Sequence, residues 1–175
     1  MKLGFVSAIL DGWTFEEMMD TAAGLGYECV EAACWPQGKA ERRYAGVSHI
    51  DVDNDSRGYV AHIHETCKKT GVEISALAYY PNTMDGDFQK QEDAIRHLKK
   101  VIAFSEKLGI GMVTTFVGRD QTKSVEENLE AFGRIWPPII QYAEEHGVRI
   151  AIENCPMLFR SEERRVGKEC RSRWS

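Results

Sequence analysis

No apolar run in this chain approaches the ~20 residues that cross a bilayer, so a membrane span is not expected. The start, Met1-Lys2-Leu3-Gly4-Phe5, leads straight into a strand pattern, without the long apolar core and small-residue cleavage site of a secretory signal. Cysteine is sparse and odd in number (Cys29, Cys34, Cys67, Cys155 and Cys170), with no Cys-x-x-Cys pair. That argues against a disulfide framework or a zinc cage and fits a reducing, cytoplasmic setting. A Gly-x-Gly-x-x-Gly phosphate loop is also missing. Gly4 and Gly12 flank the first strand without forming one, and Gly24-Leu25-Gly26 precedes a strand instead of a helix.

Positive charge is scarce once the last sixteen residues are set apart. Residues 160–175 carry nine charges and no amphipathic period, and they match in order the translation of a common short-read sequencing adapter. They are read as a non-native tail outside the fold, in preference to a natural basic tail for an acidic partner. Removing their six basic and three acidic residues leaves 16 basic and 24 acidic residues over 1–159, a net charge of −8 instead of −5. So acidic a body argues against a nucleic-acid substrate.

What is present is a repeated unit. Residues 2–9 read as a strand, Thr14-Phe15-Glu16-Glu17 has capping-box spacing, and Met18, Met19, Ala22 and Leu25 carry the helix that follows. Strands are expected at 27–34, 72–80, 112–117 and 148–152. Helices are expected over about 56–70, from about 87 to 108, and from the second capping box, Ser124-Val125-Glu126-Glu127, to His146. Pro137-Pro138 should kink that last helix or split it. Four glycines, Gly26, Gly71, Gly109 and Gly147, recur at spacings of 45, 38 and 38 residues, each just before a strand. Each suits a left-handed helix end. The order is βαβαβαβαβ, which argues for a parallel sheet covered by helices. Without a phosphate loop the doubly wound sheet is disfavoured. The expected fold is α/β, a partial (β/α)8 TIM barrel with strands one to five present, since a whole barrel takes ~250 residues.

The fifth strand ends in chemistry. Val148 to Ile152 is β-branched and apolar, and Glu153-Asn154 follow before Pro156 stops the pairing. Two polar groups after a buried strand are costly unless they meet a ligand, a metal or solvent. In parallel α/β proteins the C-terminal rim is where ligands bind. The plainer reading of Glu153 alone is an edge carboxylate bonded to a neighbouring loop.

The strand ends Glu31-Ala32-Ala33-Cys34-Trp35-Pro36, Ala78-Tyr79-Tyr80-Pro81-Asn82, Thr114-Thr115-Phe116-Val117-Gly118-Arg119-Asp120 and Ile150-Ala151-Ile152-Glu153-Asn154-Cys155-Pro156 resemble the N-terminal part of the xylose-isomerase-like TIM-barrel family of sugar phosphate isomerases and epimerases. The resemblance implies a carboxylate and histidine site for manganese, magnesium, zinc or cobalt, with Glu153 at the fifth-strand ligand position. A hard cation there stabilises charge on a sugar carbonyl oxygen while a proton moves beside it, and a nearby carboxylate serves as base. The remaining ligands are expected from strands six to eight. Residues 1–159 are thus read as an inactive N-terminal part that binds metal poorly, with open strand edges prone to association.

Other candidates carry plainer alternatives. Trp35 suits stacking on a sugar ring or packing, Asn82 a substrate hydroxyl or an Asx-turn, and Arg119 a substrate phosphate or a solvated loop. His62 and His64, two apart on a helix, cannot face one ligand and are read as surface residues. His49 and Asp51 lie in the long loop after the second strand. Cys34 and Cys155 near the rim have no base beside them in sequence. The expected partner is a small sugar or sugar phosphate, with no nucleic acid and no membrane, and the resemblance leaves room for a homo-oligomer of the full-length protein. Competing functions are a cyclitol or keto-acid dehydratase of the same fold, an endonuclease IV-like repair enzyme, and a non-catalytic sugar-binding or assembly protein. A DNA-repair role is opposed by the acidic body and by Phe116-Val117-Gly118 standing where a histidine would be wanted.

Overall fold

A computed structural model of the chain describes residues 1–38 and 46–153. The proposed tail, Asn154, Cys155 and Pro156 therefore lie outside the described residues. The order is β1 (Gly4–Val6), a 3-10 turn (Ser7–Ile9), α1 (Phe15–Gly24), β2 (Cys29–Ala33), α2 (Arg57–Thr70), β3 (Glu73–Ala78), α3 (Phe88–Leu108), β4 (Met112–Thr115), α4 (Val125–Glu145) and β5 (Arg149–Ile152). Among the described residues no helix is long and apolar enough to cross a membrane.

All neighbouring strands pair in parallel, in the order β1-β2-β3-β4-β5. The order never reverses, so the sheet has no topological switch point of the doubly wound kind. Right-handed crossovers in one direction put every helix on the same face. The barrel reading holds, with five of the eight strands of such a barrel in the described residues.

Local signals act where they were expected. Thr14 and Ser124 form reciprocal capping boxes with Glu17 and Glu127. Gly26, Gly71, Gly109 and Gly147 all hold positive φ, at 80°, 71°, 67° and 65°. β1 to β5 are each shorter than the runs expected for them, by one residue at the start of β5 and by residues at both ends of β2 and β3. The diproline does not split α4, which is one helix of 21 residues. Pro137 and Pro138 offer no N–H to the carbonyls of Gly133 and Arg134 one turn earlier, and both of those residues are exposed, where solvent is at hand to satisfy such carbonyls.

Between the sheet and its helices lies the core: Met18, Met19, Val30, Ile63, Leu77, Leu98, Ile102, Val113, Trp136 and Ile139 are all fully buried. Each large side chain so placed contributes about 1.5–3 kcal/mol. Strand residues alternate between this core and the opposite, concave face. Val30 and Ala32 face the helices, so Glu31 faces the concave side.

The phase of β3 is reset by a bulge. Val30 pairs with Ile74, yet Glu31 pairs with Ala76, leaving Ser75 as the extra residue. Its hydroxyl donates to the Val30 carbonyl at 3.1 Å. Ile74, Leu77 and Tyr79 all pack on the helix side, a spacing that strict alternation forbids. The bulge therefore sends Tyr80 to the concave face.

Candidate active site

Three side chains from three strands meet on that face. The Tyr80 hydroxyl, just past β3, hydrogen-bonds to Oε1 of Glu31 in β2 and to Oε1 of Glu153, just past β5, the latter at 2.9 Å. On a flat sheet β2 and β5 would stand three strand spacings apart, about 14 Å. Both carboxylates reach one oxygen atom, so the sheet curls around its concave face as a barrel wall must. Glu153 is held from below as well, because its backbone N–H donates to the Thr115 carbonyl at 3.0 Å. The Tyr80 ring packs on Phe116 with centroids 4.5 Å apart.

The three groups differ in environment. Glu153 is exposed at the mouth, whereas Glu31 sits lower and is half-buried. Burial pushes the Glu31 carboxyl above its usual range, and the charge of Glu153 adds to that push. The Tyr80 hydroxyl opposes it. Burial and the two carboxylates also raise the Tyr80 phenol, so it keeps its proton near neutrality. One phenolic proton serves two carboxylates, and the buried Glu31 is the better place for a second proton.

The donors are hard oxygen groups of the kind Mg2+ or Mn2+ takes. Among the described residues no group of three or more His, Cys, Asp or Glu side chains stands ready to hold a metal. The residues present thus fit part of a metal site in kind, not in number.

The other expected residues have separate surroundings. Asn82 donates its amide to the Arg119 carbonyl at 2.9 Å and to Asp85 at 3.2 Å, while its Oδ1 accepts from Met84 N–H at 3.3 Å, the Asx-turn geometry. The amide thus ties the β3–α3 loop to the β4–α4 loop. Arg119 is half-buried, and its Nε is buried without a hydrogen-bond partner among the described residues. Trp35 lies edge-on against Tyr79 at 4.9 Å.

His62 and His64 are both exposed, and His62 pairs with Glu16. His49 is buried on Ser7, and the Asp51 N–H donates to the Tyr59 hydroxyl at 2.9 Å. Cys34 is fully buried, and burial pushes its thiol far up, which leaves it inert. Glu31 and Tyr80 were missed as site residues in the sequence, although each stood inside a strand-end segment. The available signal was a lone carboxylate in the small-residue strand Cys29-Val30-Glu31-Ala32-Ala33, which raises the same question as Glu153.

A parallel, singly wound barrel wall with a carboxylate at its C-terminal mouth defines a protein of the TIM-barrel class. The chain belongs to the xylose isomerase-like TIM barrel family, which it matches over residues 19–166. The comparison with curated proteins finds no match. Among solved structures the chain is similar to the IolI protein with a bound zinc atom, at 18% identity and TM-score 0.63, over 87% of this chain and 51% of that one. It is similar to the D-psicose 3-epimerase of Clostridium cellulolyticum H10 with D-tagatose, at 15% identity and TM-score 0.63, over 91% and 54%. A probable 3-DHS dehydratase, AsbF of Bacillus anthracis, involved in petrobactin synthesis, matches at 16% identity and TM-score 0.60, over 87% and 52%. The chain spans about half the length of these structures, and at such identities the likeness speaks for the fold.

Proposed function

We propose that this chain supplies the first five strands of a divalent-metal-dependent isomerase or epimerase acting on a sugar or sugar phosphate, with Glu153 as one metal ligand. The observation that carries the reading is the placement of Glu153. It stands at the mouth on the concave face, with Oε1 tied to Tyr80 and Oε2 without a partner among the described residues. When bound, the metal supplies polarisation of a substrate carbonyl, which makes the proton beside that carbonyl easier to move. Glu153 holds its share of that charge. Arg119 offers a guanidinium whose buried Nε lacks an acceptor among the described residues, which a substrate phosphate or carboxylate would provide. Trp35, just past β2 with its ring edge-on against Tyr79, is the residue proposed to stack on the sugar ring. Asn82 keeps the Arg119 loop in place.

A cyclitol or keto-acid dehydratase is the second reading, because the same metal and carboxylates serve removal of a hydroxyl beside a carbonyl. The net charge of −8 over residues 1–159 disfavours the DNA-repair alternative. The test uses the full-length protein, with metal content measured first. Ketoses and their phosphates are then incubated in deuterated water, and deuterium uptake at the carbon next to the carbonyl is read by NMR. Uptake without loss of water identifies the isomerase or epimerase, and formation of an unsaturated product identifies the dehydratase. A metal-free protein with neither activity sinks the proposal in favour of a non-catalytic sugar-binding protein.

A further inference from the structure

We infer that Tyr80 and Glu31 are positioning residues for Glu153, aiming its Oε2, which has no partner among the described residues, at the cation; this rests on the metal-ligand reading above. Carboxylates at a strand end are free to rotate about three side-chain bonds, and Glu153 is exposed, so packing alone does not choose its rotamer. The Tyr80 hydroxyl makes that choice by taking Oε1 at 2.9 Å. Tyr80 is itself fixed on two sides. Its ring packs on Phe116 at 4.5 Å, and its hydroxyl is anchored on Glu31, one layer deeper in the barrel wall. The bulge at Ser75 is what brings Tyr80 to this face, so the arrangement belongs to the fold and not to a mobile loop.

Geometry also separates the two carboxylates by task. Glu31 lies in the middle of β2, paired with Val6 and Ala76, and is half-buried beneath the phenol. Glu153 lies beyond the last paired residue of β5. A cation arriving from solvent meets Glu153 first, and Glu31 reaches it through Tyr80. Hydrogen bonds that orient a metal-binding side chain are worth about 10- to 100-fold in metal affinity.

The test compares Mn2+ binding, read by electron paramagnetic resonance, in full-length wild type, Tyr80→Phe and Glu153→Gln. Tyr80→Phe keeps the ring against Phe116 and removes only the hydroxyl. Its metal-free thermal midpoint should stay close to wild type, while Mn2+ affinity falls by about 10- to 100-fold. The visible spectrum of the Co2+-loaded variant should shift as the Glu153 oxygens rearrange. Glu31→Ala should reproduce both changes, and Glu31→Gln, whose amide N–H can donate to the Tyr80 oxygen and leave the phenolic proton for Glu153, should recover most of the affinity. Wild-type affinity and an unchanged Co2+ spectrum in Tyr80→Phe overturn the inference, provided Glu153→Gln has lost binding. If Glu153→Gln binds Mn2+ like wild type, or wild type binds none, the metal-ligand reading fails and the inference falls with it.

Discussion

Gly118 and Asn82 lie so close that a Cβ built on the glycine would sit 2.0 Å from Asn82 Oδ1 and 2.9 Å from its Cα. Gly118 also holds φ at +76°, where other residues are strained. The two loops at the mouth are therefore locked by a contact that tolerates no side chain. Gly118→Ala is expected to cost at least about 1–3 kcal/mol from the backbone conformation alone, and to displace Asn82 from the Arg119 carbonyl. Urea unfolding measures the first effect. A loss of affinity for phosphorylated over unphosphorylated sugars measures the second.

Ser7 and His49 make a buried pair that should respond to pH. The imidazole Nε2 faces the Leu10 carbonyl at 3.2 Å, which only accepts, so Nε2 carries the hydrogen. Nδ1 then accepts from the Ser7 hydroxyl at 2.9 Å, and that hydroxyl accepts from Ala33 N–H at 2.8 Å. Burial holds His49 below the ordinary histidine value. Its contribution to stability is thus present above about pH 6.5 and is lost as pH falls through the folded-state value. His49→Gln should flatten this part of the stability–pH curve. Ser7→Ala, which strands two buried polar groups, should cost about 1–3 kcal/mol at pH 8.

Glu31 works in the opposite sense. Burial raises its carboxyl, so its contribution is full below the unfolded-state value, about 4.3, and is lost as pH rises through the folded-state value. Glu31→Gln should unfold at a higher urea concentration than wild type at pH 8, with the gap closing towards pH 4. A gap that is independent of pH would show that the Glu31 carboxyl titrates alike in the folded and unfolded chain.

Asn128 carries the loop that presents Arg119. Its Oδ1 accepts from Asp120 N–H at 2.8 Å, and its amide donates to the carbonyls of Asp120 at 3.0 Å and Ser124 at 2.8 Å. The residue is fully enclosed. Asn128→Ala is expected to cost about 1–3 kcal/mol for the polar groups it strands. Hydrogen exchange should speed up at Asp120 and Thr122 before it does so in β4.

Both outer edges of the sheet, on β1 and β5, are without a partner strand among the described residues, and Ile152 is 47% exposed there. The 175-residue chain on its own is expected to associate, which light scattering would detect. A monodisperse monomer with one sharp thermal transition would contradict this.

Much of this protein could be read along the chain. Capping boxes, helix-ending glycines and apolar periods act over a few residues, so Thr14, Ser124 and the four glycines announced their elements directly. Glu153 was legible for the same reason, as a charge at the end of an apolar strand. Of the two outcomes expected at the diproline, a kink or a split, the split does not occur, because the exposure of Gly133 and Arg134 depends on which face of α4 meets the sheet.

The amino-acid order by itself determined the parallel α/β unit, its repetition and the polar end of β5, all consequences of steric and hydrophobic preferences within one element. Only the tertiary structure decided that Tyr80 faces the barrel interior and joins Glu31, 49 residues away, to Glu153, 73 residues away. The reason is physical. A single extra residue at Ser75 inverts the phase of β3, and the curl of the sheet closes a gap that no local rule describes.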